Sequence, residues 1–161
     1  MAKFDSAEKL NLADIEITDV MTGDRDKRMF LYYQLIHSLK KAERVDIIVS
    51  FLMESGVKML LRELGNALDR GAKIRILTGN YLGITQPSAL YLIKQKLGDR
   101  VDLRFYNEKN RSFHPKSYIF HYADYSEIYI GSSNISRSAL TSGIEWNYRF
   151  RNTSDAKNYE K

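Results

Sequence analysis

Cysteine is absent from all 161 residues, which excludes disulfides and thiolate metal sites and suits a reducing, cytoplasmic setting. No stretch approaches the roughly 18–20 apolar residues of a membrane span. The charged opening segment also lacks the apolar core of a secretory signal. No Gly-x-x-x-x-Gly-Lys-Ser/Thr loop occurs, so no nucleotide-driven motor is encoded here. With only two prolines, no low-complexity tract and no internal repeat, nothing marks an interdomain linker. What remains is the composition of one globular domain, 43% hydrophobic and 28% charged, long enough to bury a core. Lysine and arginine outnumber aspartate and glutamate by 25 to 20, and the net charge of +5 favours polyanionic partners.

Hydrophobic spacing orders the chain. Residues 1–27 read as an arm with a short strand over Ile15–Val20, and 151–161 as a polar tail that leads toward further domains. Tyr32, Leu35, Ile36 and Leu39 predict a helix over Arg28–Ala42, and Val57, Leu60, Leu61, Leu64 and Leu68 predict a second that stops at Gly71. A third runs from Pro87 to Gly98. Strand signals fall at Val45–Phe51, Lys73–Thr78, Val101–Tyr106, Lys116–Tyr122, Glu127–Ile130 and Ile144–Phe150. Helices and strands alternate first and strands dominate later. The expected fold is α/β, a mixed parallel and antiparallel central sheet flanked by helices.

The chemistry concentrates late in the chain. His114 and Lys116 share one face of an extended segment, with Tyr118 and Phe120 continuing it inward. Gly131-Ser132-Ser133-Asn134 supplies a turn with hydroxyl and amide donors, and Glu145 follows as a carboxylate. Nucleophile, fixed positive charge, hydrogen-bond donors and an orienting carboxylate are the parts needed to attack a phosphodiester. Each alone is commonplace, and the order and spacing lift the group. His37 and His121 have no lysine two residues on and are read as structural.

This arrangement, H-x-K, strand, turn, strand, G-S-x-N, resembles the phospholipase D-like superfamily over 28–150. Within it, Leu77–Leu90 and Gly131–Asn147 resemble nuclease-type domains at the N-terminus of bacterial helicase or restriction-like proteins. One position departs: the superfamily motif has an aspartate where this chain has His121, and Asp124 lies three residues later.

The resemblance implies a metal-independent phosphodiesterase, without cofactor, that works through a phosphohistidine on His114. Lys116, Ser132 and Asn134 bind the phosphoryl oxygens and Glu145 orients an imidazole. One motif supplies one histidine, so the second comes from His114 of another subunit in a homodimer. DNA is the expected substrate. Lys109, Arg111 and Arg137 would follow its backbone, and Tyr81 would stack on bases, as would Phe113. The rival reading is a non-catalytic DNA-binding or dimerisation module of a helicase-type protein. A phosphatidyltransferase is the third.

Overall fold

The computed structural model describes residues 18–23, 29–108 and 110–152. The expected arm lies mostly outside these residues, as do Arg28, Lys109 and positions 153–161. The described chain forms β1 (Val20–Met21), α1 (Leu31–Leu39), β2 (Arg44–Val49), α2 (Glu54–Asp69), β3 (Lys73–Thr78) and α3 (Pro87–Leu97). It continues through β4 (Val101–Phe105), β5 (Lys116–His121), β6 (Ser126–Gly131), α4 (Arg137–Thr141) and β7 (Asn147–Asn152).

A seven-stranded sheet in the order β1-β7-β6-β5-β2-β3-β4 is the frame. β2, β3 and β4 are parallel, while β5, β6, β7 and β1 join antiparallel. The sheet is therefore mixed, as the order of elements predicts. The two crossovers, α2 and α3, step in the same direction along the sheet, and right-handed connections put both on one face. Val45, Ile47, Val49, Ile74, Ile76, Tyr118, Phe120 and Tyr129 point to that face and form one core with α1, α2, α3 and α4.

Local sequence explains the helices. Leu31, Leu35 and Leu39 recur every fourth residue and are buried, as are Val57, Leu60 and Leu64 on α2. α2 ends where Gly71 adopts φ +92°, with Gly71 N–H donating to Leu68 O and Ala72 N–H to Ala67 O. Pro87 opens α3 at a position where no amide hydrogen is needed.

Two elements differ from expectation. α4 is five residues long, too short to show helical periodicity, and begins where Ser136 Oγ accepts the Ala139 N–H at 3.2 Å. β7 starts at Asn147 instead of Ile144, and Ile144 and Trp146 are exposed in the preceding loop. Polar Arg149 points inward because Glu127 waits there. The Glu127 carboxylate, 2% exposed, accepts from Ser38 Oγ (2.8 Å), Tyr122 OH (3.0 Å) and Arg151 Nε (3.1 Å), with Arg149 at 3.5 Å.

Candidate active site at the carboxyl ends of the parallel strands

The register fixes where the motif residues stand. Val49 pairs with Thr78, Thr78 with Phe105, and Val49 with Lys116, so the ends of β2, β3 and β4 meet the start of β5. Across β6, Ser117 pairs with Ile130 and Gly131 with Asn147. The loops carrying His114, Tyr81, Ser132, Asn134 and Glu145 thus gather at one end of the sheet. Open α/β sheets bind ligands at that end.

His114 is exposed in the segment before β5, and its main chain is pinned on both sides. Ser50 Oγ donates to Pro115 O at 3.0 Å, and Lys116 Nζ donates to His114 O at 3.0 Å. The Tyr81 ring lies against the imidazole, centroids 4.2 Å apart and tilted by 35°. Among the described residues, nothing hydrogen-bonds the imidazole nitrogens. They are free to meet a ligand.

Lys116 opens β5 and is 9% exposed. Burial pulls its ammonium below the ordinary lysine range, and the Glu145 carboxylate opposes that pull. A partly desolvated ammonium beside an open imidazole can neutralise a phosphoryl oxygen.

The turn after β6 is held rigidly. Tyr118 OH, fully buried, donates to Ser133 O at 3.0 Å, and burial raises its pKa, with Glu145 adding to the shift. Ser133 N–H donates to Asn147 Oδ1, and Asn147 Nδ2 donates to Ser133 Oγ at 2.9 Å. Gly131 permits β6 and β7 to touch: a Cβ there would collide with Trp146 O and stand 2.5 Å from Asn147 Oδ1. Gly56 in α2 likewise lets the helix meet Ile135, where a Cβ would be 2.6 Å from Ser136 N.

On this scaffold Ser132 Oγ donates to the Glu145 carboxylate and accepts the Trp146 N–H at 3.0 Å. Glu145 N–H in turn donates to Thr22 O, so the residue that follows β1 helps place the carboxylate. Asn134 Oδ1 accepts Phe51 N–H at 3.2 Å, which leaves the Nδ2 donor for a ligand. Arg111 and Arg137 are exposed, the first in the loop before His114 and the second at the start of α4. Lys109 lies outside the described residues. Phe113 is packed: it stacks on Tyr106 at 4.6 Å and covers Gly79. Sequence reasoning missed Ser50 and Asn147, and named Ser133 only as a member of the turn. The only advance signal was Asn147 falling just past a conspicuous Glu-Trp pair.

Position 121 stands apart from all of this. His121 ends β5, at the far end of the strand from Lys116 and about 16 Å from it at 3.3 Å per residue. Its Nε2 is 2.8 Å from Asp46 Oδ2, its Nδ1 3.0 Å from Ser126 Oγ, and Arg44 and Arg75 complete the group. Burial works against ionisation of Asp46, yet hydrogen bonds from His121 and Arg75 hold its carboxyl well below the usual range. Asp124 is exposed in the turn at the same remote end. No helix among the described residues is long and apolar enough to cross a membrane. None of their His, Asp and Glu clusters has three members able to hold a metal ion.

Comparison with known proteins places this chain in a family. The family model described as "Cardiolipin synthase, PLD-like domain" matches residues 35–161, and the chain belongs to the phospholipase D-like family. Among solved structures it is similar to NucT from Helicobacter pylori, with a TM-score of 0.57, 19% identity, and coverage of 81% of this chain and 82% of that one. It is also similar to phosphatidylserine synthase of Haemophilus influenzae Rd KW20, with a TM-score of 0.60 and 14% identity, covering 80% of this chain and 32% of the synthase. A third likeness is to TrmBL2, an archaeal chromatin protein, with a TM-score of 0.50 and 16% identity, covering 89% and 50% of the two chains. These likenesses define the fold. No curated protein sequence matches the chain.

Proposed function

We propose that this chain is one half of a metal-independent phosphodiesterase acting on DNA, with the complete active site formed across a homodimer. One observation carries the reading. The His114 imidazole is exposed and unbonded, its main chain is tied to buried Lys116, and Ser132, Asn134 and Glu145 stand at the same sheet end.

In this reading a nitrogen of His114 attacks phosphorus, and the P–O bond to the leaving group breaks as the partner subunit's His114 gives that oxygen a proton. Water then attacks phosphorus, the P–N bond breaks, and the partner subunit's His114 takes the proton from water. Lys116 and Asn134 Nδ2 balance charge on the nonbridging oxygens. Glu145 accepts from Ser132 through one oxygen, and its other oxygen is the one that orients an imidazole. Exposed Ile144 and Trp146 on either side of Glu145 support a second copy docking there.

The net charge of +5 and the exposed Arg111 and Arg137 support a nucleic-acid substrate. TrmBL2, a fold relative, is described as binding DNA. Likeness of Leu77–Leu90 and Gly131–Asn147 to helicase-associated domains supports a place beside a cytoplasmic motor domain in a longer protein.

Cleavage of DNA and of a generic phosphodiester by the purified protein, abolished in His114→Ala, is the expected result. Salt-dependent DNA binding with no turnover would replace it with the non-catalytic module. Turnover confined to phospholipid headgroups would replace it with a phosphatidyltransferase.

A further inference from the structure

Behind the Tyr81 ring that touches His114 lies a cavity of about 450 Å³. That is within the roughly 300–1,000 Å³ range of small-ligand sites. Its lining includes the aromatic residues Tyr81, Tyr106 and Phe113, and its polar members include Asn107, Asn110 and Arg111 together with the Glu108 carboxylate. Tyr106 and Phe113 stack at 4.6 Å with planes 19° apart, giving one rigid aromatic wall. Phe113 is fixed behind by Gly79, where a Cβ would stand 2.9 Å from the ring. Tyr106 is fixed by its N–H to Thr78 O at 2.7 Å and by its hydroxyl to Glu108 at 2.8 Å.

The rim is different. Asn107, Asn110 and Arg111 are exposed, and among the described residues none has a hydrogen-bond partner. Flat aromatic walls with unengaged amide and guanidinium groups at the rim match a nucleobase, whose faces stack and whose edges carry alternating donors and acceptors. A lipid chain would leave those rim groups unpaired, and an isolated phosphate would leave the aromatic wall unused.

We propose that this cavity takes one unstacked base of the strand whose phosphate lies at His114, making the site selective for unpaired nucleotides. The inference rests on the phosphodiesterase reading for the position of the strand, while the base site itself is a matter of binding. A base in duplex DNA is already stacked and paired, so it must be extruded before it can enter. Single strands and unpaired ends therefore bind better than duplex of the same sequence.

The test uses His114→Ala protein, so that binding is read without turnover. Two single-stranded oligonucleotides of equal length and charge are titrated at one salt concentration, one intact and one with abasic residues throughout. The intact strand is expected to bind about 10- to 100-fold more tightly, from one or two stacked and hydrogen-bonded contacts. The exposed double substitution Asn107→Ala, Asn110→Ala should cut that advantage several-fold and leave abasic binding unchanged. Tyr106→Ala should cut it further, and a far-ultraviolet spectrum checks that the variant is folded. A 2-aminopurine in the intact strand should be quenched on binding, and less so in the variants. Equal affinity for intact and abasic strands overturns the base site, as does an advantage untouched by these substitutions. Base-dependent binding by a wild-type protein that cleaves nothing upholds the base site and removes the phosphodiesterase reading alone.

Discussion

His121 Nε2 lies 2.8 Å from Asp46 Oδ2, at the end of β5 away from His114. The residue that departs from the superfamily motif is therefore part of an ion network that ties β5 to β2, and it is too far from the imidazole to touch a bound phosphate. His121→Ala removes the bonds to Asp46 and Ser126 and opens a small cavity. It should destabilise the protein by about 2–3 kcal/mol. Turnover of the folded variant should stay within about twofold of wild type, against a loss of about a thousandfold or more for His114→Ala. Thermal melts paired with initial rates check both; a His121→Ala variant that melts normally but is inactive contradicts the placement.

The Asp46 carboxyl has a folded-state pKa held below its unfolded value. Its stabilising contribution is present in full above the ordinary aspartate pKa of about 4, and it is lost as pH falls toward the folded value. Asp46→Asn should therefore cost most stability at neutral pH, with the gap to wild type narrowing below about pH 4. Melting temperatures measured from pH 3 to 8 would show this convergence. A gap that widens in acid contradicts the charge assignment.

A methyl group at Gly131 has nowhere to go, because the Trp146 carbonyl and Asn147 Oδ1 occupy its place. Gly131→Ala should force β6 and β7 apart and loosen the Ser132–Glu145 contact. The expected cost is about 1–3 kcal/mol of stability together with roughly tenfold in turnover. A variant with wild-type melting and rate would show that the two strands are not in contact as described.

The proposed chemistry takes its positive charge from Lys116 and not from a bound cation. Dialysis against EDTA should leave the cleavage rate unchanged, while Lys116→Met should lower it by about 10²- to 10³-fold. Loss of activity in EDTA that magnesium restores would overturn this division of labour.

Much of the architecture was legible in the sequence because it is periodic. The alternation of β2, α2, β3, α3 and β4 shows in spacing alone, whereas His114 stands ahead of β5 and meets Lys116 through its main-chain oxygen. β7 was misplaced for a physical reason: its buried residues are Asn147 and Arg149, satisfied by Ser133 and Glu127. The apolar Ile144 and Trp146, which imitate a strand, stay outside. The function of Ser50 and Ser133 was invisible because Ser50 holds a main-chain oxygen far along the chain, at Pro115, and Ser133 is joined to the side chain of Asn147 on another strand. The position of 121 at the remote end of β5 also requires the register, which no local pattern states.

The central claim is that one chain holds half of an active site and that both copies of His114 are needed for turnover. Wild-type and His114→Ala chains co-refolded at varied ratios give mixed dimers whose composition follows the input fractions. If two histidines act on one phosphate, specific activity falls as the square of the wild-type fraction, and half-and-half mixtures retain about a quarter of full activity. A linear fall, with half the activity retained at equal mixing, would show that each His114 works alone and would contradict the account.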